Sequence, residues 1–166
     1  MSISEKKSIS VLKGSSLFSY FSGEELVMVA GMVCTRQYKK GELIFREGEE
    51  GDELFLVEEG KVAISKPVKG NLEQVLAHLG PGDHFGEMAI LEKIPRTASA
   101  SAEENCVLLV ISEGDLLRMM EVHPKAAAKI MFNLLRTFNA RLKATTEQVR
   151  EAVRWGLEAT GYHVEG

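Results

Sequence analysis

The chain has 166 residues, 45% hydrophobic and 27% charged, the make-up of one globular domain whose folding hides roughly 70% of the unfolded surface. With 20 Lys and Arg against 24 Asp and Glu, the formal charge is −4, which excludes a surface built wholly for nucleic acid, so any bound phosphate must be held locally. Two isolated cysteines, Cys34 and Cys106, exclude a zinc cluster or a disulfide scaffold; a reducing, cytoplasmic compartment fits, with both thiols as small core residues.

In chain order, Leu17, Phe18, Tyr20 and Phe21 form an apolar anchor before Ser22-Gly-Glu-Glu25, a capping-box pattern that predicts a short helix carrying Leu26, Val27, Val29, Ala30 and Val33. From Thr35 to Ile111, short runs of Val, Ile, Leu and Phe are cut by Gly41, Gly48, Gly51, Gly60, Gly70, Gly80 and Gly82, the spacing of a β-roll or barrel. Strands are expected at Leu43–Phe45, Leu54–Val57, Lys61–Ser65, Gln74–Leu79, Ala98–Ala102 and Val107–Ile111. Ser112-Glu-Gly-Asp115 caps a further helix, and Pro124 opens a last one with no breaker before Gly156, about 50 Å long at ~1.5 Å per residue. No stretch approaches the ~18 apolar residues of a membrane span, so no membrane contact is expected.

On the last helix, Ala128, Met131, Leu135, Phe138, Leu142, Thr145, Val149, Ala152 and Gly156 alternate steps of three and four. This heptad seam predicts pairing with another helix, while Ile130 and Leu134 form a second stripe for docking on the β-domain. A single wide core face is the rival explanation for Met131 to Phe138. The expected class is α+β, mainly β: a double-stranded β-helix or jelly-roll-like β-roll, flanked by N-terminal helices and a long C-terminal dimerisation helix. Its parts are an N-terminal helical segment (1–34), the β-roll (35–111) containing a special segment at 82–99, and C-terminal helices (112–166) with the long one from about 124.

That special segment, Gly82 to Ser99, places glycine, small residues, Glu87 and Arg96 together between strands. Gly86 to Leu91 can form one helical turn whose free N–H groups face an anion, and Arg96 can make a charge-assisted bidentate pair with it. Glu87 beside an anion makes sense as an acceptor for a sugar hydroxyl. A phosphate next to a ribose hydroxyl specifies a nucleotide.

Phe85-Gly-Glu-Met-Ala-Ile90 followed by Pro95-Arg-Thr-Ala-Ser99 resembles the phosphate-binding cassette of the cyclic nucleotide-binding domain family, and with the flanking helices the resemblance covers nearly the whole chain. It implies that Glu87 holds the ribose 2′-hydroxyl and Arg96 the cyclic phosphate. Phe85, Gly86, Met88 and Ala89 would form the cradle, and Thr97 and Ala98 would complete the phosphate side. Arg141-Leu-Lys-Ala-Thr-Thr-Glu-Gln-Val149 is similar to the part of the long helix that reaches adenine in catabolite activator-like members. By that match Arg141, Thr145 and Thr146 face the base, Thr146 serving the neighbouring subunit's nucleotide, or the threonines are plain interface groups of the seam.

The resemblance implies a non-enzymatic sensor that binds cAMP, with cGMP as the alternative, needs no cofactor, forms a homodimer through the long helix and signals by its rearrangement. An interaction subunit with a vestigial pocket is the competing reading. About ten residues follow Gly156, too few for a helix-turn-helix, so this chain alone is not expected to bind DNA; a stand-alone sensor and a piece of a longer regulator both fit. No GxSxG, HExxH or clustered His/Asp set argues for an enzyme. His84 is expected to be a satisfied or solvated side chain rather than a ligand, and the acidic run Glu47 to Glu53 a solvated turn rather than a calcium loop.

Overall fold

A computed structural model describes residues 3–69, 72–92 and 94–160; the expected turn at Gly70 and the last six residues lie outside them. Helix α1 (Ile3–Gly14) is followed by a 3-10 turn at Ser16–Phe18 and by α2 (Gly23–Met32). The strands are β1 (Cys34–Tyr38), β2 (Leu43–Phe45), β3 (Glu53–Glu59), β4 (Val62–Lys69), β5 (Leu72–Leu79), β6 (His84–Phe85), β7 (Ser99–Ala102) and β8 (Cys106–Ser112). Helix α3 (Glu87–Leu91) interrupts them after β6, and α4 (Glu113–Val122) and α5 (Pro124–Ala159) close the described chain. Two antiparallel four-stranded sheets face each other, ordered β1-β8-β3-β6 and β2-β7-β4-β5. The expected β-roll between helices is what forms.

Strands β3 and β8 are buried on both faces. Phe55 and Val57, with Leu108 and Val110, point between the sheets, whereas Leu54 and Leu56, with Leu109 and Ile111, point to the helices. Their period-2 alternation feeds two cores at once, which is why both read as continuous apolar runs. The helical core gathers Leu12, Leu17, Phe18, Leu26, Val29, Leu116, Met119, Ile130 and Leu134, so the stripe expected to dock α5 does so. The anchor residues divide: Leu17 and Phe18 are buried, but Tyr20 is 67% exposed.

Both capping boxes form, Ser22 with Glu25 and Ser112 with Asp115. Helix α5 is further pinned by Lys129, whose Nζ lies 2.7 Å from Glu25, and by Asn133, whose buried Nδ2 donates to the carbonyls of Leu17 (2.9 Å) and Ser19 (3.0 Å). Beyond Phe138 it leaves the core; Leu142, Val149, Val153 and Trp155 are exposed. One core expectation fails: Cys106 is buried, but Cys34, at the start of an otherwise polar strand, is exposed.

Candidate functional site

Strand β6 pairs with β3 through Phe85↔Phe55, and the two rings stack with centroids 5.2 Å apart. Phe45 of β2 joins them at 5.8 and 5.9 Å, giving an aromatic floor between the sheets. Directly after β6, Gly86 takes φ +80, which only glycine adopts cheaply. A Cβ there would stand 2.7 Å from Arg96 Nη1 and 3.0 Å from the Glu53 carbonyl, so conformation and space both demand glycine. The chain then turns into α3, whose first turn has no side-chain cap, leaving its N–H groups for another acceptor.

Arg96 is 6% exposed. Its guanidinium lies 4.2 Å from the Phe45 ring centroid and its Nη1 donates to the carbonyls of Glu53 (2.9 Å) and Gly86 (3.0 Å). The expected turn, largely exposed at Gly48 to Asp52, also frames it: Gly48 N–H donates to the Arg96 carbonyl and Arg96 N–H to the Glu49 carbonyl, both at 2.8 Å, and Gly51 is bare because a Cβ would strike the guanidinium. Burial pushes its pKa below the ordinary arginine value, opposed by the carboxylates of Glu53, Asp52, Glu49 and Glu87. Arginine nonetheless stays charged. A desolvated cation held by neutral carbonyls, with its Nε unpartnered, is strongly disposed to accept an anion.

Glu87 is 1% exposed and pairs through Oε1 with Arg141 of α5, whose Nη2 also donates to the His84 carbonyl at 3.4 Å. Glu87 Oε2 has no partner, so a buried acceptor is open to a donor such as a hydroxyl. His84 Nε2 is likewise buried without a partner, which corrects the expectation that the histidine is satisfied or solvated: strand β6 seals it at 5% exposure. These three are the buried side-chain polar atoms left unpartnered among the described residues, and all cluster here. Unpaired buried polar atoms are costly, so their concentration at one place marks a site rather than a flaw of packing.

Around them opens a cavity of about 730 Å³, the size range of small-molecule sites. Phe85, Gly86, Glu87, Met88, Ala89, Arg96, Thr97, Ala98, Arg141 and Thr145 line it. Thr146 does not; its hydroxyl donates to the Leu142 carbonyl on the helix. Arg141 touches Glu87 rather than standing free toward a base. Sequence reasoning missed the opposite walls: Phe45, Ile64, Gln74 to Ala77 and Leu79, and, on α5, Ala144 and Gln148. Gln148 was findable, lying seven residues after Arg141 and therefore on the same helix face. The sheet residues carry no local signal.

Residues 35–123 match the model of the cyclic nucleotide-binding domain. The chain is 35% identical to the cyclic AMP receptor protein of Thermus thermophilus over 88% of this chain and 69% of that protein. It is 33% identical to a cAMP-dependent protein kinase regulatory subunit of Debaryomyces hansenii, over 66% of this chain and 23% of the subunit. The crystal structure of the Thermus thermophilus catabolite activator protein superposes with a TM-score of 0.77 at 33% identity, over 84% of this chain and 64% of that one. The chain therefore spans under two thirds of both the kinase subunit and the crystallised activator.

Proposed function

The chain belongs to the cyclic nucleotide-binding domain family, and from that premise we propose that it is a cytoplasmic cAMP sensor that binds without turning its ligand over. The observation that carries this reading is that Arg96 and Glu87, whose Nε and Oε2 atoms are buried without partners, line one cavity. A cyclic phosphate supplies the acceptor that the first lacks, and a ribose 2′-hydroxyl supplies the donor that the second lacks. Met88 and Ala89 N–H groups at the uncapped start of α3 complete the phosphate cradle, with Thr97 and Ala98 beside it and Phe85 as part of the floor.

In this reading two copies pair through the exposed apolar residues of α5, Leu135, Leu142 and Val149. Thr146, outside its own cavity, faces the partner's nucleotide, and Thr145 stays in its own. Arg141 already links α5 to Glu87, so a ligand that takes up Glu87 Oε2 changes the footing of the helix, and the output is a rearrangement of α5 relative to the β-roll. The cAMP reading draws support from relatives whose names carry that ligand. Calorimetric titration with cAMP, cGMP and 5′-AMP side by side tests it. Saturable one-per-chain binding with cAMP preferred is expected; absence of binding to any cyclic nucleotide would overturn it.

A further inference from the structure

We propose that Gln148 of α5 is the residue that reads the base, and that its carboxamide selects adenine over guanine. The inference rests on the cyclic nucleotide reading above and names who reads the far end of that ligand. Arg141 is not free for the task, because Nη1 is taken by Glu87 and Nη2 by the His84 carbonyl. The Thr145 hydroxyl donates its proton to the Arg141 carbonyl and keeps only acceptor capacity. Thr97 contacts the Met88 sulfur at 3.8 Å, on the phosphate side. Among the described residues that line the cavity, the side chains offering both a donor and an acceptor with no partner of their own are Gln74 and Gln148.

Position decides between them. Arg141 marks the ribose end through Glu87, and Gln148 lies on the same face of α5 seven residues on, about 10 Å further along the axis at ~1.5 Å per residue. Ala144, between them in the cavity wall, is small enough to let a flat ring approach. Gln74 sits on β5, the edge strand of its sheet, and shares no element with the Arg141 that marks the ribose end. A carboxamide gives one donor and one acceptor side by side, which matches the N7 acceptor and N6 amino donor of adenine; guanine presents two acceptors on that edge and is matched by a guanidinium instead.

The test compares cAMP with the cyclic monophosphate of purine riboside, which lacks the 6-amino group, by calorimetry on the full chain and on Gln148→Ala. Gln148 is exposed on α5, so the substitution leaves the core untouched. The parent is expected to prefer cAMP by about tenfold, the size of one good bidentate base contact, and the variant to bind the two within about twofold. A parent without that preference, a variant that keeps it, or an equal loss for both nucleotides would each overturn the assignment of Gln148. A parent that binds neither nucleotide fails the cAMP reading itself, a distinct result.

Discussion

His84 shows how one residue ties the site to solution conditions. Burial is the largest influence on it and pushes its pKa below the usual histidine value; Arg141 acts the same way, while Glu87 and Asp83 oppose. The unfolded chain takes up a proton near pH ~6.5 that the folded chain refuses, so the unfolded state binds more protons below that point and stability falls as pH drops through it. His84→Phe removes that proton difference. Urea midpoints at about pH 7.5 and about pH 5 should therefore fall less for the variant than for the parent; parallel falls would show that His84 is not the sensitive group. Gly86→Ala presents the opposite case, a fixed demand of backbone and space. Its Cβ meets Arg96 and Glu53 at a positive φ, so a loss of about 1–3 kcal/mol is expected in the same denaturation experiment, and an unchanged midpoint would deny the strain.

At the scale of elements, α5 is held by a few polar contacts as well as by its apolar stripe. Asn133→Ala leaves the carbonyls of Leu17 and Ser19 without their buried donor, a cost of about 1–3 kcal/mol. The melting temperature should drop by several degrees; no drop would mean that water replaces the amide. The elements that could be read in the sequence are those whose burial writes itself locally. The runs Leu54–Val57 and Val107–Ile111 are apolar throughout because both faces are covered, and each capping box is a four-residue pattern. Strand β1 was missed because Cys-Thr-Arg-Gln-Tyr is mostly exposed on both faces, and β6 because two residues make no period. Helix α1 is hard to read although Ser2-Ile-Ser-Glu5 spells a capping-box pattern, because the stretch that follows is mostly polar and, among its residues of described burial, Leu12 is the one large apolar side chain that is buried. The site divides along the same line. Its cassette is contiguous, so glycine, carboxylate and arginine announce it together, whereas Phe45, Gln74 and Gln148 are brought in by sheet closure and by the reach of α5.

For the whole molecule, the proposed sensor couples a small ligand to the long helix. The distal half of α5 exposes Leu142 and Val149, seven residues apart as in a heptad, and in the proposed dimer they meet a second copy. Leu142→Glu with Val149→Glu should give a folded monomer by analytical ultracentrifugation; a dimer that survives both charges would place the interface elsewhere. Because coupling free energy is reciprocal, cAMP should tighten the parent dimer by the same factor by which dimerisation tightens cAMP, and a dissociation constant unaffected by ligand would separate the two events. All of this stands on a phosphate reaching the buried, underpartnered guanidinium of Arg96. The direct measurement is cAMP affinity by calorimetry for the parent, Arg96→Lys and Arg96→Ala, each checked for folding by circular dichroism. Truncating a buried member of a charge pair costs roughly 2–5 kcal/mol, so Arg96→Ala should bind about 1.5 to 3.5 decades more weakly, with Arg96→Lys between it and the parent because it keeps the charge and loses the fork. A folded Arg96→Ala protein that binds cAMP as tightly as the parent would contradict the account.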